Sequence, residues 1–199
     1  MVAERAPAPR FDIVAIASSA GGLTALTAVL ARLPDSFAAG VVVVQHLDPR
    51  HRSLLAAILS RRTRLHVSSA TEGMVIRPGH VYVAPPDHHL LVDRGTLTLS
   101  QAELVHFTRP SADLLFESVA ASYEARAIAV VLTGTGVDGA TGVTAIKKRG
   151  GTVIVQDEAT SQFFGMPSAA IKTGDVDFVL SLEEIGPALA VLVSGDTPD

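Results

Sequence analysis

Ala127-Ile-Ala-Val-Val-Leu132-Thr-Gly-Thr-Gly136-Val-Asp138-Gly139 is the stretch on which the fold turns. Six apolar residues without a charge read as a strand buried on both faces, the pattern of a parallel sheet covered by helices. Glycines and an aspartate then punctuate the chain, a helix is expected over residues 140–148, and a second apolar strand follows over 152–156.

The same rhythm extends in both directions. Residues 13–17 form a short apolar run, followed by Gly21-Gly22 and a helical pattern that places Leu23, Leu26, Leu30 and Leu33 on one face until Pro34 closes it. Residues 41–44 are a β-branched strand, and residues 52–62 read as a helix burying Leu54, Leu55, Ile58 and Leu59. Residues 111–124 read as a helix with Leu114, Leu115 and Val119 inward. Towards the end come a short helix over 167–173, a strand over 177–180 and a helix with Leu182, Ile185, Leu189 and Leu192 in register. Between residues 68 and 101 the character changes. Turn signals at Arg77-Pro-Gly-His80, Pro85-Pro-Asp87 and Asp93-Arg-Gly95 separate short strand candidates at 80–84, 88–92 and 96–100. The expected fold class is therefore α/β, a doubly wound and mostly parallel sheet flanked by helices, with a small antiparallel β excursion around residues 68–101.

Composition narrows the function. Of 199 residues 48% are hydrophobic but only 5% aromatic, with no Trp, so the core is aliphatic. A net charge of −4 gives no means of neutralising a phosphate backbone, so a nucleic-acid partner is not expected. The absence of Cys excludes a thiolate nucleophile, a disulfide framework and a Cys-based zinc site. Residues 1–10, rich in Ala and Pro, read as a disordered lead-in without a signal peptide, residues 11–195 as one domain and 196–199 as a tail. No apolar run is long enough to span a membrane, and a cytoplasmic location is expected.

Ligands of open α/β sheets bind beyond the carboxyl ends of the strands, so the polar residues there carry the functional signal. The first strand runs into Ala17-Ser18-Ser19-Ala20-Gly21-Gly22, a serine among small residues at a tight strand-to-helix turn, as in a nucleophile elbow. Ala17 replaces the first Gly of the usual G-x-S-x-G, and a serine there also serves as a helix N-cap. The second strand ends in Gln45-His46, and the strand quoted first leads to Asp138, itself an ordinary helix N-cap. Each residue has a bland explanation, but a Ser, a His and an Asp on one inferred sheet edge are the set a hydroxyl nucleophile needs. Ser18 competes with Ser19 by proximity. A rival reading takes Gly134-x-Gly136-x-x-Gly139, with Asp157 after the next strand, as an NAD(P)-binding fingerprint. It leaves Ser19 and His46 unexplained and sits too late in the chain for the second half of such a fold.

Together these motifs resemble the chemotaxis protein-glutamate methylesterase family, the catalytic domain of CheB-type response regulators, from about Phe11 to Gly195. The segments 16–22, 44–46 and 132–142 resemble those carrying the family's catalytic serine, histidine and aspartate, which fall on Ser19, His46 and Asp138. Pro78-Gly-His-Val-Tyr-Val-Ala-Pro85, Arg109-Pro-Ser-Ala-Asp113 and Phe164-Gly-Met-Pro167 agree as well. The departures are Ala17-Ser18 for a common Gly-Ala, Ala20 for a common Thr, and Thr135 where some members carry Met.

The resemblance implies hydrolysis of glutamyl methyl esters on the cytoplasmic helices of methyl-accepting chemotaxis receptors, with glutamine deamidation as a further activity of some members. It also implies oxyanion binding by backbone N–H groups, for which Ala20 and Thr135 are the candidates. No metal or organic cofactor is implied. Chemotaxis members typically carry a receiver domain upstream, which ten residues cannot hold, so none is expected in this chain. The same fold retained as a non-catalytic signalling module is the remaining alternative, against which an intact Ser, His and Asp set speaks. The tandem His88-His89 reads as a surface loop rather than a metal site. Arg50, Arg52, Arg61, Arg62 and Arg64 read as a solvated helix face or as a dock for Glu-rich receptor helices.

Overall fold

The protein is described by a computed structural model covering residues 11–46 and 53–195. In chain order its elements are β1 (Ile13–Ser18), α1 (Gly22–Leu30), β2 (Gly40–Gln45), α2 (Leu55–Leu59), β3 (His66–Ser69), β4 (His80–Val83), β5 (His89–Asp93) and β6 (Thr96–Ser100). Then come α3 (Ala112–Tyr123), β7 (Ala127–Val131), α4 (Ala140–Lys148), β8 (Thr152–Gln156), α5 (Gly165–Lys172), β9 (Phe178–Leu180) and α6 (Leu182–Ser194). Seven strands form one sheet in the order β3-β4-β2-β1-β7-β8-β9, every neighbouring pair parallel.

β1 lies at the centre and is buried along its whole length, as its unbroken apolar run requires. Its alternate residues feed two separate cores. Ile13, Ala15 and Ala17 face the layer of α3, α4 and the β5–β6 hairpin, where Phe116, Leu115 and Val119 pack. Val14 and Ile16 face the layer of α1 and α6, where Leu26, Leu30, Ile185 and Leu189 pack. The chain goes from β1 to β2 on one side and returns at β7 on the other, so the strand order reverses at β1. That reversal opens the crevice at which open α/β sheets place their sites.

The antiparallel excursion is present but smaller than its turn signals suggest. Of the strands among the described residues only β5 and β6 pair antiparallel, as a separate two-stranded sheet closed at Asp93-Arg94-Gly95, against which Val75 adds an isolated antiparallel bridge to Thr96. β4, expected within the excursion, instead joins the parallel sheet between β2 and β3. The helix expected over 52–62 is one short turn, Leu55–Leu59, in which Leu55 and Leu59 are buried while Leu54 and Ile58 are exposed; Arg50 and Arg52 lie outside the described residues. Arg61, Arg62 and Arg64 are exposed in the loop that follows rather than on a helix face. In α1, Leu26 and Leu30 are buried but Leu23 is exposed, and Leu33 packs beyond the helix end. No helix among the described residues is long and apolar enough to cross a membrane.

Candidate active site

The sheet register brings the three sequence motifs together. Ser18 pairs with Gln45 across β1 and β2, and His46 N–H donates to Ser18 O at 3.0 Å. On the other side Leu132 N–H donates to Ala17 O, and Ser19 N–H donates to Thr133 O at 3.0 Å. Ser19, His46 and Thr133 thus stand beyond three adjacent strand ends, each roughly 4.8 Å from the next strand.

The turn after β1 is built to project Ser19. Gly21 adopts φ 79°, a left-handed conformation that a side chain would strain, and starts α1 from there. The carbonyl of Ser19 accepts from Gly22 N at 2.8 Å and from Gln45 Nε2 at 2.7 Å. Among the described residues, Ser19 Oγ makes no hydrogen bond, and the backbone N–H of Ala20 and of Thr135 likewise have no acceptor. Ser18 is different: it is fully buried and its Oγ donates to Gln45 Oε1 at 2.7 Å. A hydroxyl so enclosed does not compete for an incoming carbonyl.

His46 and Asp138 form the buried heart of the site. His46 Nε2 lies 2.8 Å from Asp138 Oδ2, with the two side chains only 11% and 3% exposed. Burial pushes the Asp138 carboxyl up, but hydrogen bonds from His46 and from the Ala112 and Asp113 N–H groups outweigh it and hold it at about 2. The carboxylate is therefore ionised and accepts only, so His46 Nε2 carries the proton and Nδ1 is the basic nitrogen. This is the reverse of the usual serine-protease assignment, in which Nδ1 faces the carboxylate.

Asp138 is not the N-cap of α4, as its position before that helix suggests; Gly139 is. Asp138 instead sits at the start of α3, where Oδ2 accepts from Ala112 N at 2.6 Å and Oδ1 from Asp113 N at 3.0 Å and Ser111 Oγ at 2.9 Å. Asp113 returns the favour across the helix pair, its Oδ1 accepting from Gly139 N at 2.9 Å and Gly142 N at 2.8 Å at the start of α4. Each aspartate supplies the anion that the other helix start favours. Burial pushes the Asp113 carboxyl up, with the neighbouring Asp138 charge adding to it.

Sequence reasoning missed the support behind Ser111. His89, expected in a surface loop, is fully buried on β5. Its Nδ1 accepts from Ser111 N at 3.1 Å and its Nε2 donates to Glu103 O at 3.0 Å, which fixes a neutral tautomer. A buried histidine 22 residues from its partner carries no local signal. His89→Leu is expected to cost about 1–3 kcal/mol, because it leaves the buried Ser111 N–H unpaired. Urea denaturation checks this, and a loss below about 1 kcal/mol would show that the strut is dispensable.

The glycines of residues 134–139 answer the dinucleotide reading. A Cβ on Gly134 would lie 2.4 Å from Met166 Sδ and 2.8 Å from Ser19 Cβ, so this glycine lets the Ser19 turn and α5 close on each other. Gly134 N donates to Phe163 O and Met166 N to Gly134 O, both at 2.9 Å, so the Phe164-Gly-Met-Pro167 motif already fills this loop. The start of α4 is likewise occupied by Asp113, leaving a carboxylate where a pyrophosphate would sit. Gly134→Ala should push the Ser19 turn aside and cut the rate of any Ser19-dependent turnover by about 10- to 100-fold, well beyond its effect on the melting temperature. Unchanged kcat would mean that the turn tolerates the displacement.

Comparison with known proteins agrees with this geometry. A family profile described as CheB methylesterase matches residues 14–189. A protein-glutamate methylesterase/protein-glutamine glutaminase of Moorella thermoacetica is 43% identical over 192 residues, covering 94% of this chain and 45% of that protein. One from Anaeromyxobacter dehalogenans is 45% identical over 187 residues, covering 94% and 55%. This chain thus spans about half the length of these two relatives. The crystal structure of the Thermotoga maritima CheB methylesterase catalytic domain superposes with a TM-score of 0.88 at 38% identity, covering 92% of this chain and 99% of that one. With strand order, the Ser19 turn and the His46–Asp138 pair all accounted for, and a profile match over most of its length, the chain belongs to the CheB methylesterase family.

Proposed function

We propose that the protein hydrolyses glutamyl methyl esters on the cytoplasmic helices of methyl-accepting chemotaxis receptors, restoring glutamate and releasing methanol. The observation that carries this reading is the buried His46–Asp138 pair, 2.8 Å apart, next to the strand end that bears Ser19. Ser19 Oγ attacks the ester carbonyl while His46 Nδ1 takes its proton, and Asp138 holds Nε2–H and stabilises the imidazolium. The N–H groups of Ala20 and Thr135 bind the oxyanion. The imidazolium returns its proton to the departing methanol, and water, deprotonated by His46 in turn, releases the acyl group from Ser19. The same acyl chemistry with ammonia leaving deamidates glutamine. No step calls for a metal or organic cofactor, and the substrate places the protein in the cytoplasm.

The test uses receptor cytoplasmic fragments carrying radiolabelled methyl esters. Labelled methanol is expected in the volatile fraction at a rate proportional to the protein added. A rate no greater than without protein would contradict the reading.

A further inference from the structure

The most exposed large apolar side chain of the described residues stands beside the site. Phe107 is 97% exposed, and it lines one pocket together with His46, Leu104 and Thr108. Leu104 is itself 54% exposed. Among the described residues nothing buries Phe107, so the ring contributes almost no burial to stability.

The backbone holding this ring is unusual. His106 and Phe107 have φ of 49° and 62°, both in the left-handed region that glycine or asparagine normally fills in a two-residue turn. The turn is closed by Thr108 N donating to Val105 O at 2.8 Å and Val105 N to Thr108 O at 3.2 Å. Thr108 Oγ1 also donates to Val105 O at 2.8 Å, which reinforces the turn, and His106 Nε2 lies 3.2 Å from the buried Asp113 Oδ2, which ties the turn to the start of α3. A strained turn, held to Asp113 at the same helix start that receives Asp138, thus fixes where an exposed aromatic stands in the pocket it shares with His46. Strained conformations of this kind persist where the surroundings hold them, and they cluster at ligand clamps.

We propose that Phe107, with Leu104 beside it, is a specificity-determining residue that grips an apolar side chain of the substrate helix one turn from the glutamyl ester. The inference rests on the esterase reading above. On a helix, residues three or four positions from the ester lie on its own face, and the pocket that Phe107 lines also includes His46, so a side chain there is presented on the side of the helix that meets the pocket. The substrate class is accordingly a helix with an aliphatic residue three or four positions from the methylated glutamate. A helix with only polar neighbours at those positions is a poor substrate. Because the contact is made alike before and during the reaction, its loss acts on KM and not on kcat.

The experiment measures methanol release from a methyl-labelled receptor fragment by wild type, Phe107→Ala, Phe107→Leu and Ser19→Ala. Phe107→Ala is expected to raise KM about 10-fold or more with kcat nearly unchanged, and Phe107→Leu to recover part of that loss. The melting temperature should not move, since the ring is almost fully exposed. A fragment with the aliphatic neighbour changed to Ser should lose a similar factor and become insensitive to Phe107→Ala. Wild-type kinetics from Phe107→Ala on the unmodified fragment would overturn the inference while leaving the esterase standing. Absence of Ser19-dependent release by the wild type would remove both.

Discussion

Ser19→Ala is expected to lower kcat for methyl-ester hydrolysis by about 10,000- to a million-fold, the range seen when a nucleophile is removed from a serine-based catalytic unit. The fold should not notice. Ser19 is held by its backbone, through N–H to Thr133 O and through its carbonyl from Gly22 N and Gln45 Nε2, while its hydroxyl has no partner among the described residues. An unchanged melting temperature beside lost turnover therefore isolates the chemical role. Ser18 cannot take over, because it is fully buried and its hydroxyl is committed to Gln45. A loss of less than about 10-fold would remove Ser19 from the mechanism.

Asp138→Asn is the second large effect, with an expected fall in kcat of about 10,000-fold. In the proposed mechanism the carboxylate accepts the Nε2–H of His46 and so keeps Nδ1 free to take the Ser19 proton. An amide NH2 facing the same nitrogen would donate to it, moving the ring proton to Nδ1 and disabling the base. Stability should change too, and the direction follows from the folded-state carboxyl lying at about 2 against an ordinary value of 3.8. The group is depressed, so its contribution is fully present above about pH 4 and is lost as pH falls through about 2; integrated, it amounts to about 2 kcal/mol. Asp113 has the opposite sign, since a raised carboxyl costs stability while ionised and relieves the cost on protonation. Urea denaturation should show the variant less stable at pH 7, with the gap to wild type narrowing between pH 4 and pH 2. A gap that widens with acidity would contradict the assignment. Because Asp138 stays ionised down to about pH 2, any loss of activity between pH 7 and pH 4 must arise from another group.

Much of this was legible in the sequence, and particular residues show why the rest was not. β1, β2, β7 and β8 announce themselves as unbroken aliphatic runs because both faces are covered. Ser19 stands out because the small residues around it serve a turn that needs a left-handed glycine at Gly21. β3, by contrast, is His66-Val-Ser-Ser69 at the sheet edge, largely polar and half exposed, so it carries no apolar signal. β4 misleads because it follows β3 after only a short connection, where parallel neighbours normally need a longer crossover. Asp138 was legible as a candidate, but the helix starts that Asp138 and Asp113 serve were hidden for a different reason. Asp138 looks like the cap of α4, yet it and Asp113 each accept from the N–H groups that start the other helix, about 25 residues away in the chain, and only packing decides that arrangement. His89 belongs to the same class, since its partner Ser111 lies on another element.

The measurement that tests the central claim most directly is to treat the protein with a fluorophosphonate, map the modified residue by mass spectrometry, and follow methanol release from the same samples. An activated serine hydroxyl attacks such a reagent irreversibly. The account predicts one phosphonyl group per chain, on Ser19, with methanol release falling in proportion to the label and no label on the Asp138→Asn variant over the same time. Label on Ser18 or elsewhere accompanying the loss of activity, full activity with Ser19 labelled, or an active protein that takes no label would each contradict it.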